Sequence, residues 1–204
     1  CGAGFQPATS SASLSEFKQT KRDLPHWQYP GAMMFVSFNT LGRFCLAEEA
    51  RDEVLSAIRY WDGSKIRVVS AVVMSDHVHM VFQLLQDDSG NSEDLSKIMH
   101  SIKSYSANQI NRVMKREGVV WQTESFDRII RDTAEYNNVL SYIWYNPVKE
   151  GLCKDAKEYK WYFEGDEIRE LGWHPTPIGR INYTVWSDVF ICPTCTNEVI
   201  FWEA

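Results

Sequence analysis

The chain has 204 residues, 44% hydrophobic and 24% charged, with a formal net charge of −6. That length predicts one domain, or one domain with an appendage, and the composition excludes a disordered, collagenous or coiled-coil chain. No apolar run approaches the ~18 residues of a membrane span, and no basic-then-apolar signal opens the chain.

Cys1, Cys45, Cys153, Cys192 and Cys195 are too few and too scattered for a disulfide scaffold, which favours a reducing, cytoplasmic setting. The chain opens with Cys1 and stops at Phe-Trp-Glu-Ala, so it reads as a fragment.

Residues 1–23 are rich in Ser, Thr and Ala, lack hydrophobic period, and read as a flexible lead-in. Leu24-Pro25-His26-Trp27 enters the fold and Pro30-Gly31 marks a turn. Ala32 to Thr40 is a short β-type run. Ala47 to Trp61 places Ala50, Val54, Leu55, Ile58 and Trp61 at helical spacing, with Glu48 and Glu49 favourable in the first turn. Asp62-Gly63 stops that helix.

Lys65 to Met74 is a second strand, Ser75-Asp76 a tight connection, and His77 to Leu85 a third strand. After a polar loop at Asp87 to Ser92, the apolar period from Glu93 to Arg116 predicts a long amphipathic helix ending near Gly118. A short extended stretch spans Phe126 to Arg131. Asp132-Thr133-Ala134-Glu135 has the shape of a capping box and opens a helix through Asn146, which Pro147 should terminate. Strand–helix–strand–strand–helix predicts an α+β fold, a ferredoxin-like antiparallel sheet with helices on one face. The division expected is a lead-in at 1–23, a domain at 24–165 and a tail at 166–204.

Charge is uneven along the chain. Residues 1–96 carry 8 basic and 12 acidic groups, residues 97–149 carry 8 and 5, and residues 150–204 carry 5 and 10. A local basic block in an acidic chain is what a DNA-facing surface needs, although a solvated helix face is the commoner cause.

Two elements could carry chemistry. In His77-Val78-His79, side chains alternate along the predicted strand, so both imidazoles share one face at roughly 6–7 Å between backbones. Neutral imidazoles at that spacing can share a divalent cation, yet an isolated H-x-H is more often a pair of satisfied histidines. On the last helix, i,i+4 spacing stacks Tyr142 and Asn146 on one face. A carboxamide oxygen suits a third ligand position, with a phenol one turn away.

These motifs occur together. His-Val-His after "VVMSD", then "IKSYSANQINR", "VWQTESFDRIIRD" and "LSYIWYNPVKEGL", with "RDLPHW" before them, resemble the REP-associated tyrosine transposases, a branch of the single-tyrosine HUH transposases. The similarity runs from about Arg22 to Tyr162, in family order. It implies that His77 and His79 are the metal-binding pair, Asn146 the polar metal ligand and Tyr142 the nucleophile. Tyr145, a rival on chemistry alone, projects about 60° away from the Tyr142 direction.

The resemblance also implies single-stranded DNA with hairpins as substrate, Mg²⁺ or Mn²⁺ as cofactor, a 5′-phosphotyrosine and a free 3′-hydroxyl, with the chain acting as monomer or homodimer. A decayed or domesticated hairpin-binding protein is the alternative. Lys103, Arg112, Lys115, Arg128 and Arg131 are candidate phosphate contacts, and Trp121 or Phe126 could stack a base. In the tail, Cys192-Pro193-Thr194-Cys195 looks like half a zinc ribbon. The second cysteine pair is missing before the chain ends, so no complete Zn²⁺ site is expected there.

Overall fold

The computed structural model describes residues 29–173 and Pro175, together with the backbone of residues 18–21, 25–28, 189–191 and 198–200. Two short strands, β1 (Lys18–Lys21) and β2 (Pro25–Gln28), pair antiparallel. Next come β3 (Met33–Asn39), α1 (Glu48–Arg59), β4 (Ile66–Val73), β5 (His77–Leu84), α2 (Leu95–Val113) and β6 (Phe126–Ile129). The series continues with α3 (Thr133–Lys149), β7 (Tyr162–Glu164) and α4 (Asp166–Glu170). A last antiparallel pair joins β8 (Val189–Ile191) to β9 (Glu198–Ile200).

Five strands form one antiparallel sheet in the order β6-β3-β5-β4-β7. The central strand, β5, has Val, Met, Phe and Leu at five of its eight positions, the composition of a strand buried on both faces. Val78, Met80 and Phe82 are fully buried on one side, and His77, His79 and Val81 occupy the other.

The α+β class and the antiparallel sheet agree with the sequence. The expectation of helices on one face holds for α1 and α2, which pack together. They lie on the face of Phe38, whose ring meets Trp121, and Trp121 Nε1 donates to Ser106 of α2. The third helix covers the opposite face. Phe35, Val72 and Val81 make that face apolar as well, so it too needs cover. Tyr136, Val139, Leu140 and Ile143 of α3 provide it.

Several boundaries differ from the sequence expectation. Part of the expected lead-in, Lys18–Lys21, is strand. α3 runs through Pro147 to Lys149. Proline removes only its own N–H bond, and Glu150 N still reaches Asn146 O at 3.2 Å. β7 was not expected, since three residues are too few to show a period. The core also extends past residue 165: Ile168 is fully buried, and Trp173 donates to Asn137 of α3. Cys192 and Cys195 lie outside the described residues. No helix among the described residues is long and apolar enough to cross a membrane.

β4 shifts register between Val68 and Ser70, and Gly165 closes against that bulge. Its N–H donates to Val69 O at 2.9 Å, and a Cβ placed there would lie 2.2 Å from Val68 O. Because the clash is with backbone, it cannot be relieved by a rotamer change. Gly165→Ala is expected to destabilise the chain by about 1–3 kcal/mol, read as a lower urea midpoint with an unchanged slope.

Candidate active site

In antiparallel pairing, directly opposed residues point to the same side of the sheet. His77 faces Asn39, and His79 lies between Ser37 of β3 and Val72 of β4. The imidazoles therefore sit side by side on one face, with ring centroids 4.8 Å apart. Phe35 stacks on His79 at 5.9 Å and 24°. Burial holds the His79 imidazole well below the ordinary histidine range, reinforced by His77 and by the charge of Arg43. His79 is thus a neutral ring with a lone pair to offer.

The loop before β5 fixes the other imidazole. Asp76 Oδ1 lies 2.6 Å from His77 Nδ1, and Asp76 Oδ2 lies 2.9 Å from Arg43 Nε. Thr40 donates its backbone N–H to the Asp76 carbonyl at 2.8 Å, and its hydroxyl lies 2.8 Å from Phe44 O and 3.2 Å from that carbonyl. Arg43 also donates to Asn39 Oδ1. Its own backbone is left-handed (φ 58°), a conformation that costs a non-glycine residue on the order of 1 kcal/mol. The ion pair with Asp76 is the evident compensation.

α3 brings the third and fourth groups. Asp132 caps the helix by accepting from Glu135 N at 2.8 Å, as the capping-box pattern predicts. The Glu135 carboxylate instead accepts from Arg131 N at 2.9 Å. Nine residues into the helix from Thr133, the Tyr142 hydroxyl lies 3.1 Å from His79 Nε2. Asn146 Oδ1 lies 3.2 Å from His77 Nε2. Burial pushes the Tyr142 phenol above its ordinary value, while Asn146 and Arg43 pull it the other way. Tyr142 remains 42% exposed, open to a substrate.

This donor set fits a divalent cation. With Asp76 beside Nδ1, the Nδ1–H tautomer of His77 would present its Nε2 lone pair toward Asn146 Oδ1. In that tautomer both atoms, 3.2 Å apart, are lone-pair donors that a cation could share. That spacing is close to the ~3.0 Å between adjacent ligand atoms of an octahedral ion with bonds of ~2.1 Å. His79 Nδ1 is buried without a hydrogen-bond partner, leaving Nε2 as the ring's accessible nitrogen. Among the described residues no cluster of three His, Cys, Asp or Glu competes as a metal site.

The residues expected to hold DNA are dispersed among other tasks. Trp121 is 4% exposed and packed edge-on against Phe38 at 4.9 Å, so it presents no face to a base. Lys103 Nζ donates to Gln122 O (2.7 Å), Thr123 O (3.0 Å) and Ser125 Oγ (3.1 Å), clamping the loop before β6. Arg128 pairs with the buried Glu135 carboxylate at 2.6 Å and ties β6 to α3. Both cations have partners inside the fold. Arg131 keeps an exposed side chain, 3.4 Å from Glu135, and Arg112 and Lys115 are exposed. Asp76, Arg43 and Phe35 escaped the sequence reading. An acidic residue directly before H-x-H was the available signal for Asp76.

A family model described as transposase IS200-like matches residues 35–146, a span holding both imidazoles, Tyr142 and Asn146. The chain is 28% identical over 96 residues to a Haemophilus influenzae protein provisionally named a REP-associated tyrosine transposase, covering 45% of this chain and 54% of that one. It is 29% identical over 101 residues to the REP-associated tyrosine transposase of Escherichia coli, covering 49% and 56%. It thus spans about half the length of the curated relatives it matches. A solved REP-associated tyrosine transposase bound to a REP hairpin shares the fold, with a TM-score of 0.58 and 20% identity over 81% of this chain and 96% of that one.

Arg128, within β6, and Arg131, just after it, should separate cleanly by mutation. Arg128→Gln removes the close ion-pair partner of the buried Glu135 carboxylate and is expected to cost about 3 kcal/mol. Arg131→Gln, with its side chain 78% exposed, should change stability by less than about 0.5 kcal/mol. Chemical denaturation of both variants measures the contrast.

Proposed function

The chain belongs to the IS200-like transposase family, and on that premise we propose that it cuts and rejoins single-stranded DNA beside hairpins, with Tyr142 as nucleophile and a divalent cation as cofactor. One observation carries the proposal: Tyr142 and Asn146 reach His79 and His77 at 3.1 and 3.2 Å across 63 and 69 residues of sequence. The hairpin substrate is drawn from the relative solved with a REP hairpin.

His77 and His79 through Nε2, and Asn146 through Oδ1, would hold the ion, Mn²⁺ or Mg²⁺. When bound, it withdraws charge from the scissile phosphate. Asp76 keeps His77 in the tautomer that leaves Nε2 free. Burial keeps His79 neutral, so its lone pair is not lost to a proton at neutral pH. Tyr142 Oη attacks phosphorus in line, its proton passing to solvent at the exposed helix surface. The bond from phosphorus to the 3′ oxygen breaks, leaving a free 3′-hydroxyl and a 5′-phosphotyrosine. Attack by a 3′-hydroxyl on that ester reverses the step, so strand joining needs neither ATP nor water as nucleophile. A phenol held above its ordinary pKa is a poor nucleophile at rest, which limits attack to a phosphate seated in the site.

Incubation with a hairpin-flanked single-stranded oligonucleotide and Mn²⁺ should give a protein–DNA adduct on a denaturing gel. The adduct should vanish with chelator and fall by at least about 10³-fold in Tyr142→Phe. An adduct that persists in Tyr142→Phe removes that residue as nucleophile. DNA binding without an adduct in either metal would leave a hairpin-binding protein.

Asp76→Ala should weaken Mn²⁺ binding by about 10- to 100-fold, measured by calorimetric titration in the absence of DNA. Unchanged affinity would show that His77 needs no external orientation.

A further inference from the structure

Phe126 is a large apolar ring, 45% exposed, on the edge strand of the sheet. Its position is not casual. It pairs with Ser37, which pairs in turn with His79, so Phe126 lies in the same row and on the same face as the imidazole. Its ring meets Phe35 at 6.1 Å. Phe35 is 7% exposed, stacks on His79 and meets the Tyr142 ring at 6.4 Å, nearly perpendicular. Tyr142, Phe35 and Phe126 thus form a continuous aromatic row from the nucleophile to the sheet edge, with Phe126 two ring contacts from the reacting oxygen. The outer ring is also held in place: Lys103 clamps the loop that delivers it, through Gln122, Thr123 and Ser125.

An exposed phenyl in a rigid setting beside a phosphate-processing centre is suited to one ligand class. Unpaired bases offer flat π-faces that stack on aromatic side chains regardless of sequence. Lys103 and Arg128 have partners within the fold, so the grip this ring itself offers is stacking. We propose that Phe126 is a stacking subsite for an unpaired base of the single strand near the scissile phosphate, fixing the strand across β6 so that the phosphate reaches Tyr142. This rests on the cleavage reading above and adds the position of the strand.

The test uses the full chain carrying Tyr142→Phe, so that bound DNA is not turned over, and a labelled oligonucleotide with a hairpin and a single-stranded flank. Fluorescence anisotropy gives the affinity for this DNA and for a series with one abasic position moved along the flank. Phe126→Ala should weaken binding by about 5- to 100-fold, the range for loss of one stacked base, with an unchanged salt dependence. Phe126→Trp should match or exceed the parent, and Phe126→Leu should fall with the alanine variant. One abasic position should weaken the parent and leave Phe126→Ala unaffected.

Thermal unfolding of each variant identifies any loss caused by misfolding. An abasic profile unchanged by Phe126→Ala, with adduct still formed by the unsubstituted chain, overturns the subsite alone. A Phe126-dependent profile in a chain that forms no adduct supports the subsite and overturns the cleavage reading. Absence of binding by the parent overturns both.

Discussion

The register of β5 is the constraint on which the site depends. This strand is hydrogen-bonded along both edges, to β3 over seven residue pairs and to β4 over seven. A slip by one residue would turn every side chain of β5 to the other face. His77 and His79 would then enter the layer under α1 and α2, while Val78 and Met80 would meet α3. Val78, Met80 and Phe82, all fully buried, make that slip costly. The apolar residues of β5 thus hold the polar ones in place, and the imidazole pair is a consequence of packing on the opposite side of the sheet.

The second constraint is the phase of α3. Its buried stripe decides which residues point at the sheet, and Tyr142 and Asn146 lie at the border of that stripe. Ile143 is fully buried, whereas Tyr142 is 42% exposed. This border position gives the phenol both a hydrogen bond to His79 and an opening to solvent. The Asp132 cap starts the helix, and the Arg128–Glu135 pair ties its first turn to β6. The phase of Tyr142 is therefore anchored at the far end of the same helix, about two turns before it.

How much of this could be read from sequence depends on periodicity. The strands at His77 and Met33 and the helices at Glu48, Leu95 and Thr133 have strong period and start within one or two residues of expectation, with α2 and α3 each ending three residues away from it. The four site residues were legible because each lies inside such an element, where spacing converts directly to direction. β7 and the turn that carries Arg43 have no period to read. The intramolecular partners of Lys103 and Arg128 are illegible in sequence for a related reason. Net charge of a segment reports how many cations it holds and says nothing of where they end. Gln122 O, Thr123 O, Ser125 Oγ and the Glu135 carboxylate are the acceptors that claim them, and each lies in a loop or on another element.

The polar contacts around the site form a chain rather than a set of separate pairs. Lys103 holds Gln122; Gln122 Oε1 accepts from Asn39 at 3.4 Å; Asn39 accepts from Arg43; Arg43 pairs with Asp76; and Asp76 holds His77. Every link joins a different segment: α2, the loop before β6, the end of β3, the left-handed turn and the β4–β5 connection. A local conformation that costs a non-glycine residue free energy, at Arg43, is retained in the middle of this chain. Strain of this kind persists where the surroundings over-determine a residue's position. Here the surroundings include, at one end, the loop that presents Phe126 and, at the other, the imidazole that faces Asn146. The loop that presents Phe126 and the His77 imidazole are thereby tied to one polar frame without any direct contact between them.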